Sequence, residues 1–203
     1  MGDRRAVAAG AALLFALLTA LVALRVAPLL RLDEALSAAA RSNADRRPVM
    51  SAITHTADTV VLLTLFAVVM AGLLVRRAVR PALFVLATAA TATAVRISVL
   101  HAVHRPRPLG PLTEVSSFAY PSGHSTSSTV AAGVLIVVGR PLLPAGWPRA
   151  VLIAVAGAWA VLVGVSRVAL LAHWPSDVLG GWLLAVSVLT AAALAFGLFR
   201  LRP

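Results

Sequence analysis

PSGHSTSSTVAAGVLIVVG, residues 121–139, joins a polar turn to a short apolar run. The five residues that follow His124 all carry hydroxyl groups. A helix that crosses a bilayer needs about 20 largely apolar residues, and polar groups at membrane depth are tolerated where protein or water surrounds them. We therefore expect a membrane helix whose beginning faces protein or water rather than lipid.

Five further apolar runs surround this segment, separated by Arg, Pro and Gly. The six candidate spans are about 6–27, 50–75, 81–103, 123–139, 149–172 and 177–199. With 203 residues, 60% of them hydrophobic and 12% charged, the chain is too apolar for an average soluble domain. We predict an all-α fold, a polytopic membrane bundle of six transmembrane helices. It forms a single domain over residues 1–203, with its motifs within about 96–180.

Charge and cysteine content exclude several classes of protein. All 18 basic residues are arginine, and with seven acidic residues they give a net charge of +11. A nucleic-acid-binding protein would carry such residues on a solvated face, whereas these arginines interrupt apolar runs, so we predict no nucleic-acid partner. The chain has no cysteine, which excludes thiol chemistry and a thiolate metal site.

The arginines near helix ends predict the topology, because cytoplasmic loops carry the excess of positive charge. With the amino terminus inside, the inner side has nine arginines: Arg4, Arg5, Arg76, Arg77, Arg80, Arg140, Arg149, Arg200 and Arg202. The outer side has five: Arg25, Arg31, Arg41, Arg46 and Arg47. We therefore expect both termini in the cytoplasm. The Ala- and Arg-rich composition suggests a bacterial source. Segment 28–49 is then an external loop with a short interfacial helix around 31–42.

The remaining arginines lie in or at the ends of apolar runs. They are Arg96, Arg105, Arg107 and Arg167. An ionisable side chain at membrane depth costs at least about 2.5–3.5 kcal/mol and indicates a functional site. For Arg96 alone, snorkelling to the headgroups is an equally good explanation.

Three polar clusters interrupt the apolar pattern at 104–108, 121–124 and 166–177. The six-helix topology places all three at the outer ends of the spans. Together they contain histidines, a carboxylate and several arginines, which predicts one pocket that grips a highly charged group.

The cluster at 121–124 leads into a helix, whose amino terminus offers backbone N–H groups and a positive dipole end to an anion. Gly123 allows a ligand to approach closely, Ser122 can cap the helix and donate a hydroxyl, and His124 can protonate a leaving oxygen. A plain turn and helix cap is the simpler explanation of these residues taken alone.

The cluster at 166–177 predicts a histidine paired with a carboxylate. Ser166 and His173 are seven residues apart and share a face if the fifth span is one helix. Arg167 then lies about 120° around from His173, so its side chain must reach over or the helix must deform. His173 and Asp177 are four apart, although we expect Pro175 to start a new helix. A carboxylate bonded to one ring nitrogen leaves the other as a nucleophile or base.

Together these stretches resemble the type 2 phosphatidic acid phosphatase superfamily, which includes membrane lipid phosphatases, bacterial acid phosphatases and vanadium haloperoxidases. The family pattern is a lysine, six residues and Arg-Pro; then Pro-Ser-Gly-His; then Ser-Arg, five residues, His, three residues and Asp. The second motif is intact at 121–124 and the third from Ser166 to Asp177. The six apolar runs are similar to the lipid-phosphatase branch.

The resemblance implies hydrolysis of a phosphate monoester or diphosphate on a lipid, without a metal or other cofactor. Candidate lipids are polyprenyl diphosphate, phosphatidic acid and phosphatidylglycerol phosphate. It implies that His173 attacks phosphorus and becomes a phosphohistidine, that Asp177 orients it, and that His124 protonates the leaving group and then activates water. The phosphate-binding residues that it implies are Arg107, Ser122, Gly123 and Arg167.

The first motif departs from the family pattern. Taking 107–108 as the Arg-Pro pair puts Leu100 in the place of the lysine, and taking 105–106 puts Ser98 there. Arg96 lies one turn before Leu100 on the same face and could supply the charge, although guanidinium and ammonium groups are not interchangeable.

Five other polar residues are candidates for contact with this site. Arg105 is expected to be a neighbour that can touch a diphosphate or a headgroup, and Arg96 and Ser166 are further accessory candidates. His55 and Asp58, near the outer start of the second span, could border the pocket, but we favour an interfacial helix cap.

Two other functions stay open. A haloperoxidase would hold vanadate in the same pocket, but a short chain with six spans favours a lipid substrate. The non-enzyme alternative is a lipid-phosphate binding or transport protein that has lost turnover with the lysine. An oriented His173 beside His124 and Asp177 argues against it, because binding alone does not require a nucleophile. The sequence does not select the lipid or the oligomeric state.

Overall fold

The computed structural model describes residues 2–41, 46–115 and 117–198. Its α-helices are α1 (Gly2–Ala23), α2 (Ala27–Arg41), α3 (Arg47–His55), α4 (Thr59–Val75), α5 (Val79–Val103), α6 (Gly123–Gly139), α7 (Trp147–Ala169) and α8 (Pro175–Ala195). A 3-10 turn, Arg140–Leu142, follows α6. Within these described ranges, six stretches are long and apolar enough to cross a membrane: Asp3–Ala23, Arg47–Val75, Val79–Val103, Gly123–Leu142, Trp147–Ala169 and Pro175–Ala195. The predicted all-α bundle with six spans is confirmed, whereas Arg200 and Arg202 of the topology count lie outside the described residues.

The centre of the bundle is α6, which packs against α7 and α8. α1 and α5 also pack against α8. The largest apolar core lies between α5, α6 and α8, around Phe84, Val85, Val134 and Leu189. The span that contains α4 is the least buried of the six, and residues such as Leu63 are left for contact with hydrocarbon.

The second predicted span, 50–75, is divided by a corner. α3 ends at His55, α4 begins at Thr59, and residues 56–58 turn the chain between them. α3 packs on α7, and Thr56 accepts a hydrogen bond of 2.8 Å from the indole Nε1 of Trp159. This packing sets the polar residues of the corner beside the end of α7 and the start of α6.

α7 ends short of the predicted residue 172. Leu171 adopts a left-handed φ of 53°, and the chain turns back so that the backbone N–H of His173 donates to the carbonyl of Arg167 at 3.2 Å. The prediction that Ser166 and His173 share a face of one continuous helix is therefore wrong. Of the two alternatives, a long reach of Arg167 or a deformed helix, the structure shows that the helix ends before His173.

The predicted interfacial helix around 31–42 is present as α2 and is longer at its start. One face of α2 is buried and carries Asp33 and Ser37. A buried carboxylate needs a charged partner. Asp33 is paired with Arg105, which lies in the loop directly after α5, where that loop meets α8. α2 therefore packs into the helical bundle through its buried face.

Candidate active site

A cavity of about 530 Å³ lies among α4, α5, the start of α6 and the end of α7. Its polar lining includes members of all three predicted clusters, together with residues of α4, α5, α6 and the loop before α6: Thr59, Thr93, Arg96, Arg107, Glu114, Ser117, Gly123, His124, Ser127, Arg167 and His173. Its apolar lining comes mainly from α4: Ala57, Leu62, Leu63, Phe66 and Ala89. The cavity therefore combines cationic groups suited to a phosphate with an apolar wall suited to a lipid chain.

His173 is buried, and its two ring nitrogens have different partners. Nδ1 lies 2.8 Å from the carbonyl oxygen of Ala119, and Nε2 lies 3.1 Å from Nη1 of Arg107. A carbonyl oxygen only accepts and a guanidinium only donates, so Nδ1 carries the proton and Nε2 carries the lone pair. Burial lowers the pKa of His173, against the opposing effect of Asp177, so the ring is neutral at pH 7. The nitrogen that can attack thus faces the cavity.

The carbonyl of Ala119 is held in place by its neighbour in the chain. Tyr120 is fully buried, its ring stacks on Phe15 of α1 with centroids 6.4 Å apart, and its hydroxyl lies 3.0 Å from Oγ1 of Thr19. Burial raises the pKa of Tyr120 to about 12, so the phenol keeps its proton. α1 therefore anchors the loop that orients His173.

Asp177 contacts His173 less closely than the motif predicts. Its Oδ2 lies 3.5 Å from Nδ1 of His173 and accepts a 2.8 Å hydrogen bond from the backbone N–H of Trp174. Asp177 thus caps α8 and places a negative charge beside the imidazole, while the short bond to Nδ1 comes from Ala119. A backbone carbonyl has no motif of its own, so the sequence did not reveal it.

Arg105 binds carboxylates behind the catalytic cavity. It is buried, its Nη1 donates to Oδ1 of Asp177 at 2.6 Å, and its Nη2 donates to Oδ2 of Asp33 at 2.6 Å. Together with Asp33 and Trp174 it lines a separate cavity of about 210 Å³. Contact with a diphosphate or headgroup in the catalytic cavity was expected, but this placement gives Arg105 the role of neutralising two buried acids.

Arg107 is clamped by backbone carbonyls. Nε donates to Ser117 at 2.6 Å, Nη1 to Ala172 at 2.6 Å, and Nη2 to Phe118 at 3.1 Å. These bonds hold the guanidinium against Nε2 of His173. Burial lowers the pKa of Arg107. Of the two Arg-Pro pairs, 107–108 is therefore the one that faces His173.

Arg167 reaches the cavity from the end of α7. Its Nη1 donates to Oγ1 of Thr54 at 2.9 Å, and its buried Nε has no hydrogen-bond partner within the described ranges. Thr54, which sequence reasoning missed, thus orients the guanidinium and leaves Nε available to an anion. The hydroxyl of Ser166 is used inside α7, where it donates to the carbonyl of Val163 at 2.7 Å.

The start of α6 is capped and tightly packed. Ser122 accepts hydrogen bonds from the backbone N–H of Ser125 at 3.4 Å and from its hydroxyl at 2.9 Å, as predicted for a cap. α8 approaches closely at Gly181, where a Cβ atom would lie 2.9 Å from the carbonyl oxygen of Ser122. Ser122 is fully buried behind Gly123, and its direct contact with phosphate stays a prediction.

Arg96 lies inside the cavity beside Gly123. Its Nη1 would be 3.5 Å from a Cβ atom built on Gly123, so the guanidinium sits at the amino terminus of α6. Leu100 is buried in the protein and is not among the described residues that line the cavity. Arg96, and not residue 100, therefore brings the additional positive charge to the cavity.

His124 lines the cavity and contacts a carboxylate from another helix. Its Nε2 lies 3.2 Å from Oδ1 of Asp58, and Oδ2 of Asp58 lies 2.8 Å from Nδ1 of His55. Asp58 occupies the N-cap position of α4, but its side chain makes no capping hydrogen bond. The favoured interpretation of Asp58 as a helix cap is therefore wrong, and the side chain belongs to the site.

Three comparisons with known proteins identify what the chain is similar to. The family model of the PAP2 superfamily matches residues 82–200. Phosphatidylglycerophosphatase B of Bacillus subtilis is 35% identical over 162 residues, which cover 76% of this chain and 78% of that protein. The crystal structure of a transmembrane PAP2 type phosphatidylglycerolphosphate phosphatase from Bacillus subtilis superimposes with a TM-score of 0.83 at 31% identity, covering 97% of this chain and 98% of that one.

Proposed function

The chain belongs to the PAP2 superfamily, and from that premise we propose that it removes the terminal phosphate of a membrane lipid through a covalent intermediate on His173. Membership and six apolar spans make it an integral membrane phosphatase. Among lipid phosphates we favour phosphatidylglycerophosphate, because the names of the similar curated protein and of the similar crystal structure, both from Bacillus subtilis, refer to it.

The observation that carries the proposal is the direction of the His173 lone pair. Nε2 is the unprotonated nitrogen, and it lies 3.1 Å from Arg107 in a cavity that Arg96 and Arg167 also line. Guanidinium groups bind phosphate oxygens in pairs and stabilise the charge that develops on them. A phosphate held by these groups therefore meets a neutral nucleophile.

In the first step, Nε2 of His173 forms a bond to phosphorus and the bond from phosphorus to the lipid oxygen breaks. The leaving oxygen takes a proton from His124, which lines the same cavity. Nδ1 keeps its proton, and the positive charge of the phosphorylated ring is stabilised by the Ala119 carbonyl and the Asp177 carboxylate.

In the second step, His124 accepts a proton from water as the water oxygen attacks phosphorus. The bond from phosphorus to Nε2 breaks, inorganic phosphate leaves, and His124 holds a proton for the next cycle. Atoms and charges balance without a redox partner. The chemistry uses side chains only, and we propose that it proceeds without a metal.

The apolar wall supports a lipid substrate over a soluble one. Leu62, Leu63 and Phe66 of α4 line the same cavity as the arginines, and α4 belongs to the least buried span. A lipid chain can lie along this wall while its phosphate reaches Arg167. The lost-turnover alternative has less support, because Arg96 supplies a positive charge near the position of the missing lysine.

We propose that this cavity opens to the outer face and that both termini are cytoplasmic. Five of the inner arginines lie at the ends of α4 to α7 that are far from the cavity: Arg76, Arg77, Arg80, Arg140 and Arg149. Because the chain has no cysteine, Leu109→Cys and Ala145→Cys each give a single thiol. An impermeant maleimide added to intact cells should label residue 109 and leave residue 145 unlabelled; the reverse pattern would place the cavity inside.

The substrate proposal is tested by phosphate release from detergent-purified protein with a chelator present. The panel contains phosphatidylglycerophosphate, phosphatidic acid and polyprenyl diphosphate, and His173→Ala is the matched variant. We expect turnover that survives chelation, is fastest on phosphatidylglycerophosphate, and is lost in His173→Ala. Binding of these lipids without any release of phosphate would contradict the enzyme proposal and favour a binding protein.

A further inference from the structure

The corner between α3 and α4 brings a carboxylate to the candidate general acid. Oδ1 of Asp58 lies 3.2 Å from Nε2 of His124, and Oδ2 lies 2.8 Å from Nδ1 of His55. Each oxygen of one carboxylate thus faces one imidazole. The side chains of Asp58 and His124 are 44% and 28% exposed, so the pair lies at the edge of the cavity.

Helix capping does not explain this side chain. An aspartate at an N-cap position ordinarily accepts a hydrogen bond from a backbone N–H of the first turn. Asp58 occupies that position in α4, yet its carboxylate makes no such bond and turns to the two histidines. Its orientation is therefore set by His124 and His55.

His124 lies in a predominantly positive environment. The charged and titratable groups that face it come from every element around the cavity: Asp58 from the corner, Arg96 from α5, Arg107 and Glu114 from the loop, Arg167 from α7, and His173 from the turn after α7. Nearby guanidinium groups disfavour an imidazolium, whereas a general acid must hold a proton before it can give one. Of the two carboxylates in this set, Asp58 and Glu114, Asp58 is the one bonded to the ring of His124.

We propose that Asp58 is the positioning residue of the general acid: it holds Nε2 of His124 and stabilises the protonated ring. The proposal rests on the proposed function, in which His124 protonates the leaving oxygen. With Nε2–H donated to Asp58, Nδ1 is the nitrogen that releases the proton in the first step and takes one from water in the second. Asp58 remains ionised throughout, and His55 fixes its second oxygen.

This arrangement mirrors that of the nucleophile. His173 has Nδ1 held by Ala119 and reacts through Nε2, whereas His124 has Nε2 held by Asp58 and reacts through Nδ1. Asp58 lies before residue 82, where the match to the family model begins. The general acid therefore depends on a segment outside the matched region.

The test compares Asp58→Asn, Asp58→Glu and the wild-type protein in detergent, over pH 5 to 9, on a lipid phosphate. Glu34→Gln, an exposed carboxylate outside the catalytic cavity, is the matched control. We expect Asp58→Asn to lower kcat about tenfold at pH 8 with little change in KM, and to move the alkaline limb of kcat to lower pH, since its general acid loses a proton earlier. Asp58→Glu keeps the charge and should retain the wild-type limb.

A second substrate separates positioning from a merely structural role. p-Nitrophenyl phosphate has a weakly basic leaving oxygen that does not need a proton, so the first step, followed as the rapid initial release of nitrophenol, should run in Asp58→Asn at close to the wild-type rate. Unchanged kcat and pH profile on the lipid in Asp58→Asn would overturn the inference. So would an equal loss of lipid turnover and of the initial nitrophenol release, or an Asp58→Glu profile like that of Asp58→Asn. A wild-type protein that releases no phosphate would overturn the proposed function and, with it, this inference.

Discussion

The Nδ1 atom of His173 lies 2.8 Å from the carbonyl oxygen of Ala119, closer than the 3.5 Å that separates it from Asp177. The tautomer of the candidate nucleophile is therefore fixed by the backbone of the loop before α6. Asp177 adds negative charge and ties Arg105 to the start of α8. Asp177 therefore supports His173 in two ways. Its contact of 3.5 Å with Nδ1 is the weaker, and its bonds to Arg105 and to the start of α8 hold the surrounding structure in place.

The pKa of His173 predicts the acid limb of activity. Burial holds this pKa below the ordinary 6.5, so the neutral nucleophile is present above that pH and is lost as pH falls through the lowered pKa. The free energy of unfolding changes in the same direction, because protonation of the buried ring destabilises the fold as pH falls through the lowered pKa. After correction for the second ionisation of the phosphate, near pH 6, kcat/KM should begin to fall only below pH 6.5. A limb well above that value would show that another group controls the step.

Replacing Arg96 tests whether it supplies the charge of the missing lysine. A hydrogen bond to a charged group contributes about 1.5–3 kcal/mol, so Arg96→Ala should lower kcat/KM by about 10- to 100-fold. Arg96→Lys keeps the charge without the planar pair of donors and should give an intermediate value. Arg80→Ala, on an exposed arginine at the far end of α5, is the control. Equal kinetics in Arg96→Ala and Arg80→Ala would remove Arg96 from the site.

Thr54 should influence catalysis although it lies outside the motifs. Thr54→Val removes the hydroxyl that accepts from Arg167, leaving a buried donor unpaired, and we expect kcat/KM to fall about tenfold. Thr64→Val is the matched control, because Thr64 bonds only within α4 and is exposed. Steady-state kinetics on a lipid phosphate measure both. If the two variants behave alike, the orientation of Arg167 does not depend on Thr54.

Gly181 fixes the distance between α8 and the start of α6. In Gly181→Ala, the new methyl group would lie 2.9 Å from the Ser122 carbonyl, a backbone atom that cannot rotate away. Such overpacking costs about 1–3 kcal/mol and shifts the backbone that carries His124. We expect a lower melting temperature and a lower kcat. Gly157→Ala, where nothing lies within 4 Å, should change neither, and wild-type behaviour in Gly181→Ala would show that the helices can separate.

Hydropathy was sufficient to predict the spans but not their interruptions. The run 50–75 is apolar on both sides of residues 56–58, so an average over the window cannot detect the corner that carries Asp58. The end of α7 was misplaced for a similar reason, because Leu171 is apolar yet adopts a left-handed φ of 53°. Apolar content determines that a segment enters the membrane, while local packing determines where it bends.

The motifs predicted the residues that line the cavity better than those that hold them. His124, Arg167 and His173 were singled out by the motifs and their resemblance to the family pattern, and they line one cavity. Ala119 contributes a backbone atom and Thr54 a common side chain far away in sequence, so no pattern pointed to either. Long-range partners of this kind become visible only when the helices are packed.

The central claim, that His173 becomes phosphorylated, is tested by trapping the intermediate. His124→Gln mixed with p-nitrophenyl phosphate should complete the first step, whose leaving group needs no acid, and stall in the second, which lacks its base. After an alkaline quench, mass spectrometry should find one phosphate, on residue 173. Phosphate on a different residue, or release of nitrophenol in a rapid phase with no phosphorylated protein, would contradict the account.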